Sequence, residues 1–197
     1  MTFLDLMQQR RSIYAIGNNL RHSPQEIEQI VRTAVRHTPS AFHSQATRTV
    51  LLFGASHDQF WGFVREALRK IVPADAFAAT AQRIDGFAAG AGTVLFYEDQ
   101  DIVRGLQEKM PAYAENFPIW SDQASAIAQF AIWMAFSEAG IGASLQHYNP
   151  LADADAAQAF AIPANWKMRA QLVFGSIEAP AGEKTFIDPA ILCKTFS

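Results

Sequence analysis

Arg10-Arg11-Ser12 sets two guanidinium forks beside a hydroxyl, a combination able to grip a phosphate through charge-assisted, bidentate hydrogen bonds. At a helix C-terminus the helix dipole alone favours the same cations, so the spacing leaves both readings open. Thr38-Pro39-Ser40-Ala41-Phe42-His43-Ser44-Gln45 offers small polar donors and acceptors on a turn, as a binding loop or an ordinary loop would. The run Gly140-Ile141-Gly142-Ala143-Ser144-Leu145-Gln146-His147-Tyr148-Asn149-Pro150 carries no formal charge and joins small residues to an amide, an imidazole and a phenol. A pocket for a flat heterocycle has that composition, and so does a buried strand with its turn. Lys184 stands in a tail punctuated by Pro180, Gly182 and Pro189.

Other chemistries lack a carrier. Gly140-Ile141-Gly142 has no third glycine and follows a helical pattern, so it is not a dinucleotide fingerprint. His22, His37, His43, His57 and His147 form no ligand pair with a carboxylate at helical spacing, and no metal site is expected. The serines lack a G-x-S-x-G elbow, and Cys193 has no partner signature around it. A formal net charge of -3, with no basic block beyond Arg10-Arg11, gives no footprint for nucleic acid. The lone Cys193 fits a reducing compartment. Asp5, Arg10 and Arg11 interrupt the apolar region a signal peptide would need. The uncharged stretch from Gln123 to Ser137 is shorter than the ~20 residues that span a bilayer, so the expected address is the cytoplasm and no membrane partner is expected.

Half of the 197 residues are hydrophobic and only 18% are charged, too few to coat a monomer, so a homo-oligomer is expected. No linker or repeat divides the chain, and residues 1–197 read as one domain. A short helix is predicted over Thr2 to Gln9. Ser23-Pro24-Gln25-Glu26 opens a second with a capping box, and its buried stripe is Ile27, Ile30, Val31, Ala34 and Val35. Thr47 to Phe53 reads as a strand, followed by a helix after Gly54 that carries Phe60, Phe63, Val64, Ala67 and Leu68. Further strands are predicted at Thr93 to Tyr97, Ala143 to Gln146 and Arg169 to Phe174. Gln123 to Ala139 is apolar nearly all round, the pattern of a helix held between a sheet and another subunit, and Gly140 ends it. Helices and strands mix without regular alternation, which indicates an α+β fold.

In this order the segments resemble the nitroreductase family of FMN-dependent NAD(P)H oxidoreductases over nearly the whole chain. The carriers are Arg10-Arg11-Ser12, Pro39-Ser40-Ala41-Phe42-His43-Ser44-Gln45, the run from Gly140 to Pro150, and Lys184 in Gly182-Glu183-Lys184-Thr185-Phe186. The glycine-rich run and this ending look most like the compact bacterial and fungal branch. The resemblance implies a mostly antiparallel central sheet flanked by helices, in an intertwined homodimer with FMN in each of two interface pockets. It implies that Arg10 and Lys184 neutralise the phosphate, while Arg11 and Ser12 bind phosphate, ribityl or flavin edge. Ser40 and Gln45 would come from the opposite subunit, with His43 standing where the family motif usually has Asn. Leu145, Gln146 and His147 would line the flavin. NADH or NADPH would donate hydride, and a flat, electron-poor nitroaromatic or quinone would accept it in ping-pong order with no dedicated catalytic side chain. The alternative is a non-enzymatic flavin-binding or regulatory protein on the same dimeric scaffold.

Overall fold

In the computed structural model, which describes residues 2–196, the first two helices begin where their caps stand. Helix α1 (Phe3–Gln9) follows Thr2, whose hydroxyl accepts from the Asp5 N–H while the Asp5 carboxylate accepts from the Thr2 N–H. Helix α2 (Pro24–His37) repeats the reciprocal bond with Ser23 and Glu26 and places Pro24 at its first position. These hydrogen bonds favour the ionised carboxylates and hold Asp5 and Glu26 below the usual range.

The sheet has five strands: β1 (Ile16–Gly17), β2 (Thr47–Phe53), β3 (Gly92–Asp99), β4 (Gly142–Gln146) and β5 (Trp166–Ile177). All the pairings are antiparallel, in the order β1-β5-β3-β2 with β4 also on β5, and β2 is an open edge. Every residue of β3 is buried because helices cover both faces of the sheet. Leu95 and Tyr97 join one core with Phe60, Trp61 and Val64 of α3 (Gly54–Arg69) and with Ile84 and Phe87 of α4 (Phe77–Ala88). The intervening Val94 and Phe96 join a second core with Ile27 and Val31 of α2. Strand β5 serves both cores by alternation at Leu172, Val173 and Phe174, and a bulge then turns Met168 to the first core: the register passes from Phe96–Ala170 to Tyr97–Met168 and skips Arg169. The freed Arg169 ion-pairs with the buried Glu98 and with Asp122.

After β3 come α5 (Gln100–Lys109), capped by Asp99, and α6 (Asn116–Glu138), which starts before the predicted Gln123. The inner face of α6 adds Ile132 and Phe136 to the second core, and Ile119 and Ile127 stay exposed on its outer side. Gly140 ends the segment with φ +72°, a conformation free of strain only for glycine. Helix α7 (Asp153–Ala159) covers the first core, and α8 (Pro189–Leu192) is one short turn in an otherwise irregular tail. The buried stripe of α2 is as expected at Ile27 and Val31, with Ile30, Ala34 and Val35 packed at its margin.

A small polar network lies inside the first core. His57 is 1% exposed, with Nε2 3.2 Å from the Ala88 carbonyl and Nδ1 2.9 Å from the Thr93 hydroxyl. A carbonyl only accepts, so Nε2 carries the proton and Nδ1 accepts from Thr93, whose oxygen in turn accepts from the Trp61 N–H at 3.0 Å. Burial pushes the His57 pKa down and keeps the ring neutral.

Candidate active site

The end of α1 delivers the first cations. The Arg10 N–H donates to Leu6 O and the backbone there turns extended. The chain next runs beside β4, where the Ile13 N–H donates to Ala143 O at 3.0 Å. At the other end of the molecule's sequence, Glu178 N–H donates to Ala15 O as β5 finishes, bringing the tail back over the same segment. Arg11 Nη2 donates to Gly182 O at 2.6 Å and ties the tail down just before Lys184. Arg10, Arg11, Ser12, Tyr14 and Lys184 therefore line one cavity of about 490 Å³, together with the tail residues Gly182 and Glu183, the latter adding one carboxylate to the three cations.

Among the described residues, Arg10, Arg11 and Lys184 form no ion pair with a carboxylate. Burial, and then the neighbouring Arg11 charge, push the Arg10 pKa below its ordinary value, though a guanidinium stays protonated throughout. The guanidinium carbon of Arg10 lies 4.3 Å from the ring centroid of Trp133 on α6. This cluster is electropositive, partly desolvated and supplied with a hydroxyl, and its donor set suits a phosphate.

A second constellation lies around Ser40. Phe42, His43 and Gln45 adopt φ of 53°, 53° and 50°, a left-handed conformation unusual for residues other than glycine. The turn is held by the Gln45 N–H donating to Ser40 Oγ at 3.0 Å, and by Phe42 packing on Phe117 and Trp120 at 5.5 and 6.0 Å. Ser40 and Gln45 line a polar cavity of about 650 Å³ between α2 and β2, with Arg32, Arg36 and Arg48. It has no lining residue in common with the Arg10 cavity, and exposed His43 lines neither. Within one protomer, Ser40, His43 and Gln45 are thus not brought to Arg10 and Lys184.

Strand β4 connects the third group to the first. It starts beside Ile13 and ends at Gln146, so Leu145, Gln146 and His147 lie at the end away from the cations. Leu145 is half-buried at the margin of the second core, the Gln146 amide donates to Ser144 Oγ at 3.1 Å, and His147 is exposed. The buried Gln171 supports the turn that follows by accepting from the Tyr148 N–H at 2.8 Å.

Trp133 and the Gly182 carbonyl were not foreseen, because each meets Arg10 or Arg11 only through tertiary folding. An apolar groove of about 960 Å³ also runs between α1, α2 and α6, past Phe3, Leu6, Ile30, Ile127 and Met134. Among the described residues no helix is long and apolar enough to cross a membrane, and no group of His, Cys, Asp and Glu could hold a metal ion.

With this geometry in view, the likeness to known proteins is specific. A family model described as the nitroreductase family matches residues 7–176. The Saccharomyces cerevisiae protein HBN1, a candidate nitroreductase by its name, is 38% identical over 188 residues, 94% of this chain and 93% of its own. The nitroreductase CinD from Lactococcus lactis, solved in complex with chloramphenicol, superposes with a TM-score of 0.92 at 44% identity, covering 100% of both chains. A nitroreductase with bound FMN from Desulfitobacterium hafniense has the same fold at a TM-score of 0.72 and 16% identity, over 100% of this chain and 99% of its own. The matched family region takes in the Arg10 segment, the Ser40 turn and all of β4, and the chain belongs to the nitroreductase family.

Proposed function

We propose that this chain is a single-domain, cytoplasmic, FMN-dependent oxidoreductase that takes electrons from NADH or NADPH and passes them to flat, electron-poor acceptors such as nitroaromatics or quinones, in ping-pong order. The observation that carries this reading is the convergence of Arg10, Arg11, Ser12 and Lys184 on one cavity without a carboxylate ion pair among the described residues. Such a cluster repels itself until an anion arrives, and a dianionic phosphate supplies enough charge to satisfy it. Bound FMN would supply hydride chemistry that no side chain here can perform.

The protein's own contribution is position and electrostatics. Arg10, Arg11, Ser12 and Lys184 hold the phosphate end. Strand β4 runs from that end to Leu145, Gln146 and His147, about 13 Å from Ala143 to His147 at the usual rise per residue. This separation suits a ligand with an anion at one end and a ring at the other. Leu145 offers an apolar contact, and the Gln146 amide with the following backbone offers donors to the ring edge. No acid or base need be assigned.

A second copy of the chain completes the site. Ser40 and Gln45 lie apart from the cations of their own protomer and would serve the partner's flavin. The surfaces for such a partner are present: the apolar groove along α6, the open edge of β2, and a tail whose Phe186, Ile187, Ile191, Leu192 and Phe196 are exposed. Purified protein is expected to be yellow with oxidised-flavin absorbance, to bleach anaerobically with NADH or NADPH, and to regain colour with a quinone. Yellow protein that never bleaches would favour the non-enzymatic flavin-binding reading. Colourless protein that refuses added FMN would reject both.

A further inference from the structure

We propose that Trp133 is a positioning residue for phosphate recognition, its indole face holding the Arg10 guanidinium where it meets the phosphate; this rests on the FMN reading above. Each cation of the cavity has a different support. Arg11 is fixed by its bond to Gly182 O, and Lys184 lies 4.8 Å from the ring of Phe186 in the same irregular tail. Arg10 has neither a carboxylate partner nor a side-chain hydrogen bond among the described residues, and its one close support is the Trp133 ring at 4.3 Å. It is also half-buried and next to the charge of Arg11.

The placement of the tryptophan explains why it can serve. Trp133 is half-buried on α6 between Ile132 and Met134, both buried, so the helix is anchored on either side of it. Helix α1 packs against α6 and presents Arg10 as its C-terminal cap, so the cation and the ring belong to elements that meet directly. An indole face attracts a guanidinium through its quadrupole and leaves the N–H donors at the guanidinium edge free. A carboxylate in the same place would occupy those donors and cancel the charge. Trp133 therefore fixes Arg10 without consuming what the phosphate needs.

The test compares FMN with riboflavin, which lacks the phosphate, by titrating the apoprotein and following flavin fluorescence. Trp133→Leu is expected to weaken FMN binding about tenfold and riboflavin binding less than about twofold. Trp133→Phe, which keeps an aromatic face, should recover most of the FMN affinity. In an Arg10→Ala background the Trp133→Leu change should have no further effect on FMN, since the interaction is already gone. Trp133→Met, closer in volume and without a ring, takes the place of leucine if that variant loses its fold. Equal losses of FMN and riboflavin, or full additivity with Arg10→Ala, would overturn the assignment. A wild-type protein that binds riboflavin as tightly as FMN would instead break the phosphate reading itself, a distinct failure.

Discussion

His57 is joined to a tryptophan through the Thr93 hydroxyl and Arg10 sits against one directly, and the fold treats their charge in opposite ways. His57 is closed in the first core, where the Thr93 hydroxyl and the Ala88 carbonyl engage both ring nitrogens and burial disfavours a second proton. Arg10 keeps its charge at the molecular edge, with an aromatic face behind it and donors free in front. The His57 network is thus complete within the protomer. The Arg10 cluster, with no carboxylate ion pair among the described residues, is chemically incomplete, and an apolar groove and an exposed tail lie open as well. A satisfied network speaks for stability, and an unsatisfied one of this kind speaks for a ligand and a partner.

The contrast can be broken first at the complete network. Trp61→Ala removes a fully buried ring and the donor to Thr93, and should cost roughly 3–5 kcal/mol in urea denaturation. Arg10→Ala should cost little stability but weaken FMN retention by roughly 1.5–3 kcal/mol, read as flavin occupancy after dialysis. Unchanged occupancy would remove Arg10 from the site. Ile127→Glu places a charge on the apolar groove, and should raise the dimer dissociation constant at least about tenfold in sedimentation velocity at micromolar concentration. A wild-type chain that sediments as a clean monomer while holding FMN tightly would sink the shared-site account.

The smallest expected effect concerns pH. The folded state holds His57 neutral below the ordinary imidazole value of about 6.5, whereas the unfolded chain takes up a proton there. Stability contributed by His57 is therefore complete above that value. It declines as pH falls, until the folded-state imidazole itself protonates. A loss on the order of 1 kcal/mol between pH 7.5 and 5.5 is expected, and His57→Leu should flatten it. An equal slope in the variant would show that other groups govern the range.

Much of the fold was legible because its signals are local. The capping boxes at Thr2 and Ser23 mark their helices, the β-branched run marks β2 at Thr47–Phe53, and Gly140 marks the end of α6. Helices α4 and α7 went unannounced: both are rich in alanine, and their N-terminal flanks, Ala76 and Ala152, give no side-chain cap. Helix α5 has its Asp99 cap, but that residue also closes β3 and so reads ambiguously. In the site, the residues of the Arg10 segment and Lys184 were identifiable by resemblance. Their company was not, because Trp133 lies far from Arg10, and the Gly182 carbonyl far from Arg11, along the chain. The left-handed Phe42, His43 and Gln45 were illegible for another reason: no glycine announces the turn, which is sustained by aromatic packing from α6.

The shared site can be tested most directly by subunit mixing. Arg10→Ala spoils the phosphate end of a chain's own site, and Ser40→Trp obstructs the contribution made to the partner. Each variant alone should purify without flavin. Unfolding and refolding them together yields about half mixed dimers, each with one site free of both changes, so FMN should return to about a quarter of all sites. A mixture that stays as flavin-free as its parents, with mixed dimers verified, would contradict a site built from two chains.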